Sequence, residues 1–422
     1  MLSRPPQSHR RQARPRRTRR WRARLVLAGA AGLVSMTALT ALPPGAARAA
    51  AADSIQDKQQ WVLNMLDVDG AWSVTRGAGV TVAVIDSGVN PHVSDLSGSV
   101  TTGPDYTGVR TSPASKDWGV HGTWMASLIA GHGHDGGFDG VTGIAPQARI
   151  LSIRVIPDRG DPHYGKYERE REAVIQQSLA DGIRYAVAHG AQVISMSIGY
   201  SAPSATVRAE LQQAYHHGVV VIASAGNSGG PSGSARPDDA PESFPADYPG
   251  VISVGAVNTS GVVAGFSSDN LSVKVAAPGV AVPAQGRDGE YWLVSGTSPA
   301  CALVAGVAAL IKSKYPHLAP DLVARALTTT TTDRPAGGYN SQVGFGIVDA
   351  TAALTRAARL AGVRPVETSL KDTVKYHGSL PPVPVRPRGS GQLVLFALLA
   401  LTSLALSAAA ATQLILLRRG SR

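Results

Sequence analysis

Six short β-rich stretches in the middle of the chain restrict its fold more than anything else in the sequence. Residues 80–85, 149–155, 192–197, 219–224, 251–257 and 273–276 are dense in Val and Ile, and several are nearly unbroken apolar runs. A strand wetted on one face alternates apolar and polar residues, whereas an unbroken run is expected where both faces are covered. Between the runs lie helical patterns at 122–131, 173–189, 204–217 and 299–314. This alternation predicts an α/β domain, a doubly wound parallel sheet with helices on both faces. No internal repeat is evident. In such sheets the chemistry gathers beyond the carboxyl ends of the strands, so the residues that follow each run carry the interest.

The charge balance removes one class of function. The 422-residue chain has 40 basic and 29 acidic residues, a net charge of +11, which alone would suggest a nucleic-acid partner. Residues 1–52 hold eleven of the basic residues, all Arg, and no acid. The remainder carries 29 of each sign, so the body is neutral and no nucleic-acid surface is expected. An apolar content of 44% excludes a largely disordered chain. The single cysteine, Cys301, excludes an internal disulfide.

The basic excess belongs to a targeting segment. An Arg-rich stretch at 1–24, an apolar stretch at 25–42 and Ala47-Arg48-Ala49 have the layout of a secretory signal peptide, 1–49. An uncleaved signal anchor is the alternative, because eighteen apolar residues nearly suffice to span a bilayer. Residues 393–417 contain no charge and precede Arg418 and Arg419. As a helix they would measure roughly 37 Å, enough to cross a hydrocarbon core of about 30 Å. The Arg pair then sets the tail 418–422 in the cytoplasm and everything before the helix outside. Residues 363–392, with five prolines, form a semi-rigid spacer. The expected order is therefore signal peptide 1–49, N-terminal extension 50–78, catalytic domain 79–362, Pro-rich linker 363–392, transmembrane helix 393–417 and cytoplasmic tail 418–422. That order describes a single-pass cell-membrane protein with an extracytoplasmic domain.

Four residues supply a chemistry. The run 80–85 delivers Asp86 ahead of the turn pair Ser87-Gly88, and His121 opens an apolar helix in His121-Gly122-Thr123. Ser298 lies in Gly296-Thr297-Ser298, at a sharp turn that enters a helix of small residues. Asn227 closes Ala223-Ser224-Ala225-Gly226-Asn227 after the run 219–224, with an amide able to donate to an oxyanion. A lone serine is a weak nucleophile and needs a base and an oxyanion donor. Taken singly, Asp86 is a turn former, His121 a helix-start residue and Ser298 a cap. Taken together they point to nucleophilic acyl transfer.

In that order the triplets Asp86-Ser87-Gly88, His121-Gly122-Thr123 and Gly296-Thr297-Ser298 resemble the signatures of the subtilisin-like serine peptidases. Chymotrypsin-like enzymes and α/β-hydrolases build the same geometry in other chain orders. Gly143-Ile144-Ala145-Pro146, Met196-Ser197-Ile198-Gly199 and Val254-Gly255-Ala256 extend the likeness, as does the run from Gly344 to Asp349. The resemblance implies Ser298 as nucleophile, His121 as general base and acid, Asp86 as its orienter, and Asn227 with the Ser298 N–H as oxyanion donors. It also implies a cleft edged by Ser197, Ile198 and Gly199 and by Ser224, Ala225 and Gly226, pairing with a peptide as an added strand. No cofactor and no catalytic metal are implied, and structural calcium stays open because no ligand loop stands out.

Two departures bear on the reading. Pro299 follows the nucleophile where relatives commonly have Met, Ala or Phe, and Ala302 stands where they have proline. Proline suits the first helical position but disfavours the α region for Ser298. Between Ala50 and Asp86 there is no room for an inhibitory pro-domain. Gln60-Trp61-Val62-Leu63 and Gly70-Ala71-Trp72 look instead like the extension of mycosins, the subtilases of type VII secretion, whose overall layout the chain shares. Mycosins commonly carry disulfides, which one cysteine rules out here. The expected partners are protein or peptide substrates, the membrane through the C-terminal helix, and a secretion complex. Two functions follow, a processing endopeptidase and, as the alternative, a structural partner of that complex with proteolysis dispensable. A released degradative protease is disfavoured by the membrane helix.

Other residues have plainer readings. His132 and His134 beside Asp135 could ligate a metal, but the Gly-rich run 131–140 reads more simply as a surface loop. Cys301 reads as a buried small residue, Trp118 and Trp124 as packing, and Tyr200 as a side chain that narrows the cleft.

Overall fold

The computed structural model describes residues 54–134, 139–229, 242–362 and 401–403, and of residues 166 and 169–173 the backbone alone. The expected signal peptide, Pro-rich linker and cytoplasmic tail and most of the 393–417 segment lie outside the described residues; 401–403 are helical. Among the described residues no helix is long and apolar enough to cross a membrane. The chain divides into two compact units, Met1–Leu360 and Ala361–Arg422, and the sheet with its helices belongs to the first.

The strands are β1 Thr81–Asp86, β2 Val100–Asp105, β3 His132–His134, β4 Asp139–Thr142, β5 Arg149–Arg154, β6 Val193–Met196, β7 Val220–Ser224, β8 Ile252–Val257, β9 Val273–Pro278, β10 Val282–Gln285 and β11 Tyr291–Val294. The helices are α1 Ile55–Met65, α2 Val68–Trp72, α3 Val120–Ala130, α4 Tyr164–Ala188, α5 Ala205–His216, α6 Thr297–Lys314, α7 Pro320–Thr329 and α8 Ala350–Ala361. Seven strands form one sheet in the order β2-β5-β1-β6-β7-β8-β9, parallel throughout. β1 sits between β5 and β6, with Asp86 opposite Arg154.

The central apolar runs, in β1, β6 and β7, are covered on both faces, as their composition requires. Val82 and Val84 enter one core with α3 and α6, while Ala83 and Ile85 enter the other with α4 and α5. Period-two alternation thus persists inside an apolar run, with both sides dry. α6 runs through the first core: Thr297 to Lys312 are buried, apart from Ser298. Each fully buried Leu or Ile there contributes about 1.5–3 kcal/mol relative to exposure, the source of stability for a fold without disulfides.

The extension before β1 is seated on this core. Ser54 and Asp57 close a capping box on α1, and Val62 and Leu66 join the α6 core. Buried Gln59 donates Nε2–H to Thr142 O at 2.7 Å and accepts the Thr142 N–H at 3.0 Å. Trp72 Nε1–H donates to Ile144 O at 2.8 Å.

The structure revises several sequence expectations. β2, Val-Thr-Thr-Gly-Pro-Asp, has no apolar run because it is an edge strand, where Pro and polar residues are tolerated. α4 starts at Tyr164 rather than 173: its first turns are charged and lack the apolar stripe that signals a helix. The Gly-rich run is not simply a loop, since β3 and β4 pair antiparallel across it; Asp135 lies outside the described residues.

Candidate active site

Asp86 is the last residue of β1 and is 1% exposed. Its Oδ1 accepts the Ser87 N–H at 2.7 Å and lies 2.8 Å from His121 Nδ1. With the proton on Nδ1 donated to the carboxylate, Nε2 is left as the basic nitrogen. The ring reaches Asp86 because α3 starts against the turn after β1. A Cβ at Gly122 would collide with the Gly88 carbonyl and come within 3.3 Å of Asp86 Cβ, so only glycine can follow the histidine.

Ser298 is held by a second glycine device. Gly296, with φ 151°, turns the chain out of β11 into α6 and leaves Ser298 half-buried at the cleft. Asn227 Oδ1 accepts the Thr297 N–H at 2.9 Å and the Thr297 hydroxyl at 3.0 Å. Its Nδ2 end, 3.4 Å from where a Gly296 Cβ would stand, is the donor left on the Ser298 side. Ser197 Oγ–H donates to Ser298 O at 3.2 Å. His121 and Ser298 line one cleft, and hydrogen bonds to a nucleophile commonly tighten only with substrate bound. Pro299 is the third residue of α6, not the first, so Ser298 is already helical. The missing N–H still costs nothing, because the first four N–H groups of a helix have no intrahelical partner.

Electrostatics tune the imidazole. Burial lowers the His121 pKa, but the charge and hydrogen bond of Asp86, with a smaller contribution from Asp158, outweigh it; exposed Arg159 opposes them, and the net shift is upward. Asp158 belongs to none of the sequence motifs. It is 8% exposed, and its carboxylate accepts the N–H of Val120 at 2.9 Å and of His121 at 3.0 Å. Burial raises its own pKa, against those hydrogen bonds. Its one sequence signal is its place just beyond the carboxyl end of β5.

Arg154 is the second residue the sequence did not reveal. Buried beside β1, it donates from Nη1 to Asp105 at 2.6 Å, from Nη2 to Asp161 at 3.0 Å and from Nε to Ser87 O at 3.1 Å. One guanidinium thereby ties the end of β2 to the segments that follow β1 and β5. Charge-assisted bonds to two carboxylates, with a third bond to a carbonyl, are what make a buried cation tolerable.

The residues named from the sequence divide around the cleft. Ser197, Ile198, Gly199 and Asn227 line it with His121 and Ser298. Ser224 and Ala225 are buried at the end of β7, and Gly226, whose N–H donates to Thr297 Oγ1 at 3.2 Å, supports the turn that carries Ser298. Tyr200 does not narrow the cleft. It is buried against Phe244 and Tyr248 because its backbone pairs with Phe244 and turns the ring into the core. Trp118 packs over Gly88 as expected, but Trp124 lines the cleft, edge-on to His121 with ring centroids 6.2 Å apart. Cys301 is buried, and burial pushes its thiol up to about 12. His134 is paired with Asp95, and among the described residues no group of three or more His, Cys, Asp or Glu could hold a metal ion.

Known proteins resemble this chain over the domain that carries the cleft. A family model described as the Subtilase family matches residues 77–346. Subtilisin DY of Bacillus licheniformis is 34% identical over 278 residues, covering 66% of this chain and 92% of its own. The minor extracellular protease Epr of Bacillus subtilis is 30% identical over 316 residues, 75% of this chain, which spans only 45% of Epr. The solved structure of the serine protease MycP1, described as an essential component of the type VII (ESX-1) secretion system, is 35% identical. It superposes with a TM-score of 0.58 over 70% of this chain and 88% of its own.

Proposed function

The chain belongs to the subtilase family, and from that membership we propose that it is a membrane-anchored extracytoplasmic serine endopeptidase that processes secreted proteins or serves a type VII secretion system. The observation that carries the reading is the cleft in which His121, oriented by Asp86 at 2.8 Å, meets Ser298 and Asn227. Ser298 Oγ attacks the scissile carbonyl while His121 Nε2 takes its proton. Asp86 holds the imidazole in the required tautomer and stabilises the imidazolium without itself being protonated. Asn227 Nδ2 and the Ser298 N–H stabilise the oxyanion. His121 then protonates the leaving amine, and a water activated by the same base hydrolyses the acyl-enzyme. The chemistry runs on side chains, as is general in the family, with no cofactor.

The substrate strand pairs with the edge at Ser197–Gly199. Anchoring rests on the uncharged segment 393–417 and its following Arg pair. Purified protein should label with a fluorophosphonate at Ser298, and Ser298→Ala should not; wild type that fails to label would overturn the reading. Alkaline extraction of membranes should leave the full chain in the pellet and release a chain ended at residue 362.

The MycP1 likeness favours one second reading, a structural partner of a secretion complex in which proteolysis is dispensable. Ser298→Ala separates the two. Secretion preserved in that variant but lost on deletion supports the structural role; equal loss in both abolishes it.

A further inference from the structure

The N-terminus of α3 is capped from a distance. Its N-cap residue, Gly119, has φ 72° and no side chain, and the first turn contains no acid. Helix N-termini ordinarily take a Ser, Thr, Asp or Asn side chain at that position. Here the first two N–H groups, those of Val120 and of His121 itself, go to the two oxygens of Asp158, 38 and 37 residues further on. Asp158 is 8% exposed and lines the cleft. His121 is therefore gripped by two carboxylates, Asp86 on the ring and Asp158 on the backbone.

We propose that Asp158 is a positioning residue for the reaction: it fixes the backbone of His121 and places a second negative charge beside the imidazole, raising its basicity. This rests on the serine-peptidase reading. The charged groups that bear on His121 are Asp86 from β1 and Asp158 and Arg159 from the segment after β5; in the segment before α3, Lys116 and Asp117 pair with each other. Asp117 and Arg159 also line the cleft. The upward shift of His121, to which Asp158 adds and from which Arg159 subtracts, agrees with this arrangement. The juxtaposition of Asp158 and Arg159 supplies an internal control, because neutralising neighbours of opposite sign must move the same titration in opposite directions.

The test is the pH profile of kcat/KM for a peptide substrate with the full chain. The acid limb reports the free-enzyme base. Asp158→Asn keeps an oxygen acceptor for the helix but loses the charge, and should move the acid limb down by about half a pH unit, the size of one partly screened charge. Arg159→Gln should move it up by less, and the Arg159 effect should fade in high salt because the side chain is exposed. Asp158→Ala should show the same downward shift and a lower kcat. An acid limb unmoved in both Asp158 variants, with activity lost only in proportion to stability, would make Asp158 a mere cap and overturn the proposal. Failure of the peptidase reading looks different, since wild type would then neither label nor cleave.

Discussion

Two Asp–His pairs in this molecule, each with a buried carboxylate, have nearly the same local geometry and different surroundings. His121 Nδ1 lies 2.8 Å from Asp86 Oδ1, and His134 Nδ1 lies 2.7 Å from Asp95 Oδ1. Both imidazoles are 29% exposed, and both carboxylates are buried, at 1% and 0%. Around His121 stand a serine and an amide in a cleft. Around His134 stand the Tyr291 hydroxyl, 3.2 and 3.4 Å from the Asp95 oxygens, and Asp139, 3.7 Å from His134 Nε2. Asp95 further accepts the Val141 N–H at 2.7 Å. The second pair joins the β3–β4 hairpin to the segment before β2 and to β11, and its remaining nitrogen faces another acid, not a nucleophile. An oriented imidazole becomes a catalyst only where a hydroxyl and an oxyanion donor share its space.

The largest break in this comparison is at Ser298, the proposed nucleophile. Ser298→Ala should lower kcat for peptide hydrolysis by at least about 10⁴-fold while leaving the denaturation midpoint nearly unchanged. Asn227→Ala should cost on the order of 10²–10³-fold in kcat, the range known for such an asparagine in a subtilisin. Steady-state kinetics on both variants would check the order; an Asn227 loss confined to KM would remove it from the oxyanion site. His134→Ala should show the reverse signature, unchanged kcat/KM and a loss of about 1–3 kcal/mol in urea denaturation, because Asp95 loses a buried partner. Activity lost in that variant beyond its unfolded fraction would erase the distinction between the pairs.

A pH titration sharpens the same contrast. The folded-state pKa of His121 is raised, by Asp86 and Asp158 against burial. Its ion pair therefore adds stability in full below the unfolded imidazole value, and that contribution is lost as pH rises through the folded value. Activity has the opposite sense, since the base must be neutral, and appears as pH rises through that same folded value. Thermal melts of Ser298→Ala should lose this contribution between the unfolded imidazole value and the pH at which the wild-type rate is half-maximal. The smallest effect is expected at Cys301: with the thiol pushed up to about 12, native protein at pH 8 should resist alkylation, and Cys301→Ser should retain most of the activity.

The sequence revealed what local pattern can carry. Runs such as 80–85 and 219–224 stand out because a strand dry on both faces must be apolar, and the three triplets because a glycine lies within two residues of each of Asp86, His121 and Ser298. Asp158 and Arg154 were hidden. A cap that reaches across 37 residues, and a guanidinium that gathers three segments, are defined by packing and not by spacing. Tyr200 misled for a related reason, since its direction is set by a bridge to Phe244. The described part of α4 shows that charge without an apolar stripe still becomes helix when a neighbouring sheet fixes its lower half.

Gln59 has a consequence for the chain as a molecule that is handled and cut. Its carboxamide gives to and takes from Thr142 as a peptide group in a neighbouring strand would. Loss of those two bonds would leave buried groups of β4 unpaired, at about 1–3 kcal/mol each. A single nick between Trp72 and Thr81 should therefore yield a two-piece particle that still elutes as one species and separates only on denaturing gels.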